Sequence, residues 1–172
     1  MKSIETERLV LRPMEITDTD PMLTVFADPL VAASFGIPPF DRERMHRWVQ
    51  RNLEHQKEHG CGLFSVVLKA EGLLIGDCGL EWMEMGEERV AELGYDFRSD
   101  YWHHGYATEA AIAVRDYGFK DLKLPRLVSL IRVGNYPSRR VAERVGMTLV
   151  AEVTRFGSIK YWKYGIERGN QL

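Results

Sequence analysis

The chain has 172 residues, of which 45% are hydrophobic and 28% are charged, and its formal net charge is −2. These values predict one soluble globular domain, residues 1–172, rather than a disordered chain. The near-neutral charge excludes a general nucleic-acid binder, and the longest uncharged stretch is too short to cross a membrane. The N-terminus lacks an apolar signal core, and two cysteines are too few for a disulfide framework, so we expect a cytoplasmic protein.

The first sixty residues predict one strand followed by two helices. The helices are recognised by apolar residues at helical spacing between polar caps and a terminating glycine. The predicted elements are a strand over Arg8–Arg12, a short helix from Asp18 or Thr19 to about Ala27, irregular structure over Pro29–Phe40 and a helix over Arg42–His59.

The remainder of the chain predicts six strands and two helices. They are strands over Leu63–Leu68, Leu73–Trp82 and Val90–Phe97, a helix from Thr108 to about Leu122, a strand over Leu127–Val133, a short helix between Asn135 and Gly146, and strands over Thr148–Thr154 and Ile159–Ile166. The short link at 69–72 predicts an antiparallel hairpin. The order βααβββαβαββ is typical of an α/β or α+β domain with a mixed central sheet of about seven strands, flanked by helices.

The segment AELGYDFRSDYWHHGYATEAA, Ala91–Ala111, joins a strand, a loop and a helix. Gly105 and Ala107 at the junction allow a ligand to approach the backbone closely. The first N–H groups of the helix lack internal partners, and together with the helix dipole they suit a pyrophosphate. No P-loop or dinucleotide-binding glycine motif is present. Tight packing of strand against helix explains the same small residues equally well.

The segment NYPSRRVAERVGM, residues 135–147, predicts a capped helix. Asn135 is a good N-cap, Pro137 fits the first turn, and Gly146 fits the position after the last turn. Each of these residues has a purely structural explanation, which leaves the roles of Asn135 and Ser138 open.

With TERLVLRP at 6–13, these segments resemble the GNAT superfamily of acetyl-CoA-dependent N-acyltransferases, and particularly its RimJ/RimL-like branch of ribosomal-protein N-terminal acetyltransferases. The resemblance implies parallel strands that begin at Ala91 and Leu127 and splay apart at a bulge in the first. It implies acetyl-CoA as cosubstrate and no metal. The implied cofactor-binding residues are Tyr95, Phe97, His104, Gly105, Tyr106, Ala107, Thr108, Asn135, Ser138 and Arg140 (or Arg139).

Two positions depart from the broad superfamily pattern. Trp102 stands where that pattern usually has Gln or Arg, as is common in the RimJ/RimL-like branch. Ala142 stands where many members have a tyrosine that protonates the leaving thiolate, so Ser138 is the nearest replacement.

The resemblance implies direct attack of an amine on the thioester of acetyl-CoA. Glu92 is the candidate base, acting through water; a buried, hydrogen-bonded structural role is its alternative, and Glu84 is a second choice. Backbone N–H groups at the bulge near Phe97 are expected to polarise the carbonyl, and Ser138 to hydrogen-bond the thiolate. Four aromatic residues are candidates for the acceptor pocket or for core packing: Phe35, Phe40, Trp48 and Trp82. The adjacent His103 and His104 do not suggest a metal site.

The expected acceptor is a protein N-terminus or a small-molecule amine. We expect no general nucleic-acid partner and no membrane partner, and a homodimer is compatible with the sequence. The alternative to an enzyme is a non-catalytic acyl-CoA-binding domain with a regulatory or interaction role.

Overall fold

Eight strands form one mixed sheet in the order β1-β2-β3-β4-β5-β6-β8-β7. The structure, a computed structural model, describes residues 1–155 and 157–169. Neighbouring strands are antiparallel except β5 and β6, which are parallel. The strands are β1 Ile4–Glu5, β2 Leu9–Pro13, β3 Leu63–Leu68, β4 Leu73–Met85, β5 Glu88–Phe97, β6 Arg126–Arg132, β7 Thr148–Arg155 and β8 Ile159–Glu167.

Five helices cover the two faces of this sheet, and each face has its own hydrophobic core. They are α1 Thr19–Phe26, α2 Pro29–Phe35, α3 Arg42–His59, α4 Tyr106–Lys120 and α5 Tyr136–Val145. Helices α1–α3 pack on one face around Met22, Met45 and Val49, whereas α4 and α5 pack on the other around Val114 and Val145. None of the helices in the described ranges is long and apolar enough to span a membrane.

The predicted mixed sheet and helix order are confirmed, with two additions. One is β1, a two-residue strand too short to leave a pattern in the sequence. The other is α2, which lies where we predicted irregular structure. That prediction was wrong because Asp28 caps a helix there: one carboxylate oxygen accepts a hydrogen bond from Leu30 N (2.8 Å), and the other accepts one from Ser99 N (3.2 Å). Gly36, at φ 65°, ends the helix.

The two edges of β5 differ sharply. Its register with β4 runs without a shift from Met85↔Glu88 to Gly76↔Phe97. Its register with β6 consists of one pair, Glu92↔Val128. The strands therefore splay as expected, but the bulge predicted in β5 is absent over 88–97. The Glu92 side chain takes over a backbone role instead, because its Oε1 accepts a hydrogen bond from Leu130 N at 3.1 Å.

Candidate active site

The gap between β5 and β6 opens beyond Glu92 and contains the backbone of Tyr95 and Phe97. Successive peptide groups in a strand face opposite neighbours, so part of this backbone faces the gap. Trp102 lies at the end of the gap, where its Nε1 donates to the carbonyl of Phe97 at 2.7 Å. Its ring packs against both hydrophobic cores. Trp102 thus fixes the start of the loop that leads into α4.

The loop before α4 presents backbone amides at the helix N-terminus. His103 and Gly105 adopt positive φ values of 65° and 84°, and Gly105 is the N-cap of α4. The first helical hydrogen bond runs from Glu109 N to the Gly105 carbonyl, which leaves the N–H groups of 106–108 without helical partners. Unpaired amides at the positive end of a helix dipole form an anion site.

An ion pair holds this loop from the side. Arg8 Nε donates to Glu109 Oε2 at 2.7 Å, and Arg8 Nη1 donates to the His104 carbonyl at 2.9 Å. Thr6 Oγ1 and Arg8 N donate to the other carboxylate oxygen of Glu109. Burial by itself would raise the pKa of Glu109, but these hydrogen bonds outweigh it and hold the pKa below its usual value. The arginine therefore neutralises a carboxylate that would otherwise oppose an anion.

The N-terminus of α5 faces β5 through two hydroxyl groups. Asn135 Oδ1 accepts from Ser138 N at 3.2 Å, which confirms the predicted N-cap. Tyr95 Oη donates to the Ser138 carbonyl at 2.8 Å, and Ser138 Oγ donates to Tyr95 Oη at 3.2 Å. Burial raises the pKa of Tyr95 well above its usual value, so the phenol stays protonated.

The arginines of α5 are not equivalent. Arg139 forms an ion pair with Glu143 at 2.8 Å, whereas Arg140 is exposed. Arg144, which the sequence reasoning missed, lines a surface cavity of about 520 Å³ beside Gly105 and Thr108. Its spacing of one helical turn from Arg140 was the signal that could have revealed it.

A second cavity of about 650 Å³ lies on the α1–α3 face of the sheet. Sheet residues carrying carboxylates form its floor, aromatic side chains form its wall, and arginines of α3 form its rim. The floor contains Glu81, Glu92, Gly94 and Asp96; the wall contains Phe26, Phe35, Ile37, Phe40, Trp48 and Leu63; the rim contains Arg44, Arg47 and Arg51.

Glu92 is both a structural ligand of Leu130 N and part of the cavity floor. Burial, the largest influence, raises the pKa of Glu92 to about 7; the Leu130 hydrogen bond opposes this rise, and the nearby Glu81 carboxylate adds to it. A carboxylate that titrates near neutral pH suits general base catalysis. The structural role is observed in the hydrogen bond from Leu130 N, and the raised pKa leaves the role of base as a prediction compatible with it.

The carboxylates of the floor come from two matching segments, each with the pattern acid–x–Gly–x–acid. Residues 77–81 of β4 and 92–96 of β5 pair so that Asp77 faces Asp96 and Glu81 faces Glu92. Because side chains alternate along a strand, all four point to the same face. Of these four carboxylates, the sequence analysis selected only Glu92. The repeated spacing of four residues between the two acids of each segment was the signal that could have revealed the other three.

Asp77 is fully buried, and within the described chain neither of its carboxylate oxygens has a hydrogen-bond partner. Burial and the charge of Asp96 raise the pKa of Asp77 well above its usual value. Burial and the charges of Glu81 and Glu92 raise the pKa of Asp96 to about 7. The facing pair therefore retains a proton at neutral pH, because two adjacent buried carboxylates do not both ionise.

Three of the four predicted aromatic residues line this cavity: Phe35, Phe40 and Trp48. Trp82 packs instead against the α4–α5 core, beneath the guanidinium of Arg89. Glu84 is exposed and lies outside the cavity lining, on the other face of β4 by side-chain alternation. His103 and His104 are exposed. Among residues 1–155 and 157–169, no group of three or more His, Cys, Asp or Glu side chains is arranged to hold a metal.

Comparison with known proteins assigns a family to this geometry. A family model described as an acetyltransferase (GNAT) domain matches residues 8–148. The uncharacterized N-acetyltransferase p20 of Bacillus licheniformis is 34% identical over 139 residues, covering 80% of this chain and 78% of that protein. An acetyltransferase from Agrobacterium tumefaciens has a TM-score of 0.83 at 31% identity, covering 97% of this chain and 95% of that one. The ribosomal-protein alpha-N-acetyltransferase RimL, solved with coenzyme A, has a TM-score of 0.82 at 17% identity, covering 98% and 99% of the two chains, which is a likeness of fold alone.

Proposed function

Because the chain belongs to the GNAT family and is an acetyl-CoA-dependent N-acetyltransferase, we propose that it transfers the acetyl group directly to a primary amine in a ternary complex. The acceptor is a protein N-terminus or a small-molecule amine. The observation that carries this proposal is the position of Glu92, which lies at the splay between β5 and β6 and also on the floor of the 650 Å³ cavity. A base there faces both substrates.

The residues on the α4–α5 face fit the cosubstrate. A pyrophosphate binds the backbone amides from His104 to Thr108, of which those of 106–108 lack helical partners; Gly105 leaves room there, and Arg8 cancels the charge of Glu109. The pantetheine arm lies along the backbone of Tyr95 and Phe97 that faces the gap, apart from the Phe97 carbonyl, which accepts the Trp102 hydrogen bond. The Asn135 side chain keeps its amide N–H groups for this arm, since its oxygen caps α5. Arg140 and Arg144 are available to phosphates.

The protein's groups divide the reaction into proton removal, carbonyl polarisation and thiolate stabilisation. Glu92 takes a proton from the acceptor ammonium, directly or through water, which frees the amine lone pair. An N-terminal amine, whose ordinary pKa is near 8, is well matched to a base near 7. Unpaired N–H groups of β5 polarise the carbonyl without the predicted bulge. The Ser138 hydroxyl turns from Tyr95 to the departing sulfur, and the thiolate takes up the second proton, which the attacking nitrogen loses as the C–S bond breaks.

A turnover screen tests the proposal. The chain is incubated with acetyl-CoA and a panel of N-terminal peptides, polyamines and aminoglycosides, and release of the coenzyme A thiol is measured. Thiol release that depends on one class of amine is expected. Binding of acetyl-CoA without release by any amine would favour the alternative of a non-catalytic acyl-CoA-binding domain.

A further inference from the structure

The floor and the rim of the cavity described above carry opposite charges. The carboxylates belong to the sheet, on the side where the amine must react. Arg44, Arg47 and Arg51 follow one another along α3 at spacings of three and four residues, and thus share one helix face. An acceptor that places its amine at Glu92 therefore extends its far end toward guanidinium groups.

At neutral pH the rim carries more charge than the floor. The three guanidiniums are permanently charged. Glu92 and Asp96 titrate near pH 7, and Asp96 shares its proton with Asp77. Glu81, whose pKa burial also raises, adds at most one negative charge, so the lining carries more positive than negative charge before any amine enters. A polyamine or an aminoglycoside would add several ammonium groups to this excess, and like charges repel in a site with little water.

Two of the three arginines form no ion pair with another described residue. Arg47 pairs with Glu43 one turn earlier on α3. Arg44 stacks on the Phe40 ring, 3.9 Å from its centroid, and reaches the Pro38 carbonyl at 3.3 Å. Neither Arg44 nor Arg51 forms an ion pair with a carboxylate of the described ranges. Burial raises the pKa of Glu81, and the nearby charge of Arg51 opposes part of that rise. Guanidinium groups bind carboxylates in a two-pronged geometry, so these two are suited to an anion from outside.

We propose, on the basis of the acetyl-transfer function above, that the acceptor is a peptide N-terminus followed closely by acidic side chains. Its amine faces Glu92, and its carboxylate binds Arg44 and Arg51. The volume of about 650 Å³ falls in the range that holds drug-sized ligands, well beyond a single free amino acid. The aromatic wall formed by Phe35 and Trp48 contacts the apolar part of the first residues.

The test compares three peptides that share a first residue and differ only in charge: Ser-Asp-Glu-Ala-Ala, Ser-Asn-Gln-Ala-Ala and Ser-Lys-Lys-Ala-Ala. We expect kcat/KM to be about tenfold higher for the acidic than for the neutral peptide, and lowest for the basic one, as one charge-assisted contact of about 1.4 kcal/mol would give. Raising the salt concentration should reduce the ratio, since screening weakens the exposed ion pair.

Variants locate the effect. Arg51→Gln and Arg44→Gln are expected to lower the acidic-to-neutral ratio severalfold, whereas Arg51→Lys keeps the charge and part of the ratio. Arg42→Gln is the matched control, because Arg42 lies on the same helix but outside the cavity and pairs with Asp20 at 2.7 Å. Quenching of tryptophan fluorescence by each peptide measures binding independently of turnover, since Trp48 lies in the wall.

The outcomes separate the two proposals. Equal turnover of the three peptides, or preference for the basic peptide or for polyamines, would overturn the acidic-acceptor proposal and leave acetyl transfer intact. Preference for the acidic peptide that persists in Arg51→Gln and Arg44→Gln would also overturn it, because the selectivity would then lie elsewhere. Absence of thiol release with every amine would overturn the proposed function and this inference with it.

Discussion

The two faces of the sheet contribute to the site by different means. On the α4–α5 face, the functional groups are mainly backbone amides and one glycine, set by a continuous loop and helix. On the α1–α3 face, they are carboxylates from two strands and arginines from a distant helix. A backbone anion site depends on local conformation, which short motifs encode. A side-chain cavity depends on strand register and helix packing, so its members are dispersed along the chain.

The largest effect on activity should come from Glu92, which lies both where β5 and β6 diverge and on the cavity floor. Glu92→Gln removes the base and should lower kcat/KM by about 10²–10⁴ at pH 8. Since the pKa of Glu92 is about 7, the ionised fraction falls at lower pH, so the ratio of the two proteins' kcat/KM should shrink about 30-fold between pH 8 and pH 5.5. A pH–rate profile from 5.5 to 9 measures this.

Two outcomes make the Glu92 test specific. Gln retains an oxygen acceptor for Leu130 N, whereas Ala does not, so only Glu92→Ala should lower the melting temperature. A Gln variant with an unchanged pH profile would remove Glu92 from the proposed mechanism.

A smaller effect on activity is expected at the backbone amides before α4. Gly105→Ala places a side chain at φ 84°, which costs roughly 1–2 kcal/mol and displaces the amides before α4. We expect KM for acetyl-CoA to rise about tenfold. Gly86→Ala, at φ 66° in the turn between β4 and β5, is the matched control: it should lose similar stability without a change in that KM. Equal KM effects in both variants would show that strain, rather than the anion site, is responsible.

The buried carboxyl pair predicts a pH-dependent change in stability. Asp77 has a folded pKa raised well above the unfolded value of about 3.9, so the native state binds the extra proton and loses stability as the pH rises above about 4. Asp77→Asn removes this titration, and its amide can donate to Asp96. Urea titrations should show a gain of about 1 kcal/mol at pH 8 and little at pH 4. The exposed Asp100→Asn is the control, and a similar gain in that variant would exclude the buried pair as its cause.

The smallest effect should come from the hydroxyl pair. Ser138→Ala should lower kcat only about threefold, because an ordinary thiol, with a pKa near 8.5, leaves readily as a thiolate. Tyr95→Phe removes the partner that holds Ser138 Oγ, and the double variant should be no worse than either single one if both act through one contact. Loss of all activity in Ser138→Ala would show that the serine is an essential acid.

Much of the fold follows from periodicity and caps. The boundaries of α3 agree with the prediction because Asp41 caps its start, Gly60 follows its end and apolar residues recur at helical spacing between them. Helix α2 was missed because three prolines in residues 29–40 suggested a loop, although Pro29 occupies the first turn of the helix, where its missing N–H costs nothing.

The candidate site also contains features that the sequence predicts and features that it does not. The Asn135 cap follows from neighbouring residues, so the sequence predicts it. Gly105 was predicted to lie at the junction of loop and helix, but its φ of 84° and its N-cap position were not predicted. The facing of Asp77 and Asp96 depends on the register of β4 and β5, which the sequence does not specify pair by pair. The bulge predicted in β5 was wrong, since the register of β5 with β4 has no shift. Where β6 diverges from β5, the Glu92 side chain accepts the hydrogen bond of Leu130 N, a contact that the sequence does not specify.

The shared carboxylate of Asp28 has a thermodynamic consequence. Its two oxygens hold the start of α2, which carries Phe35 in the cavity wall, and the amide of Ser99, where the chain leaves β5 for the cofactor loop. The two proposed substrate sites therefore meet at one side chain. Whatever factor acetyl-CoA imposes on acceptor affinity through this contact, the acceptor must impose the same factor on acetyl-CoA affinity, since binding linkage is reciprocal.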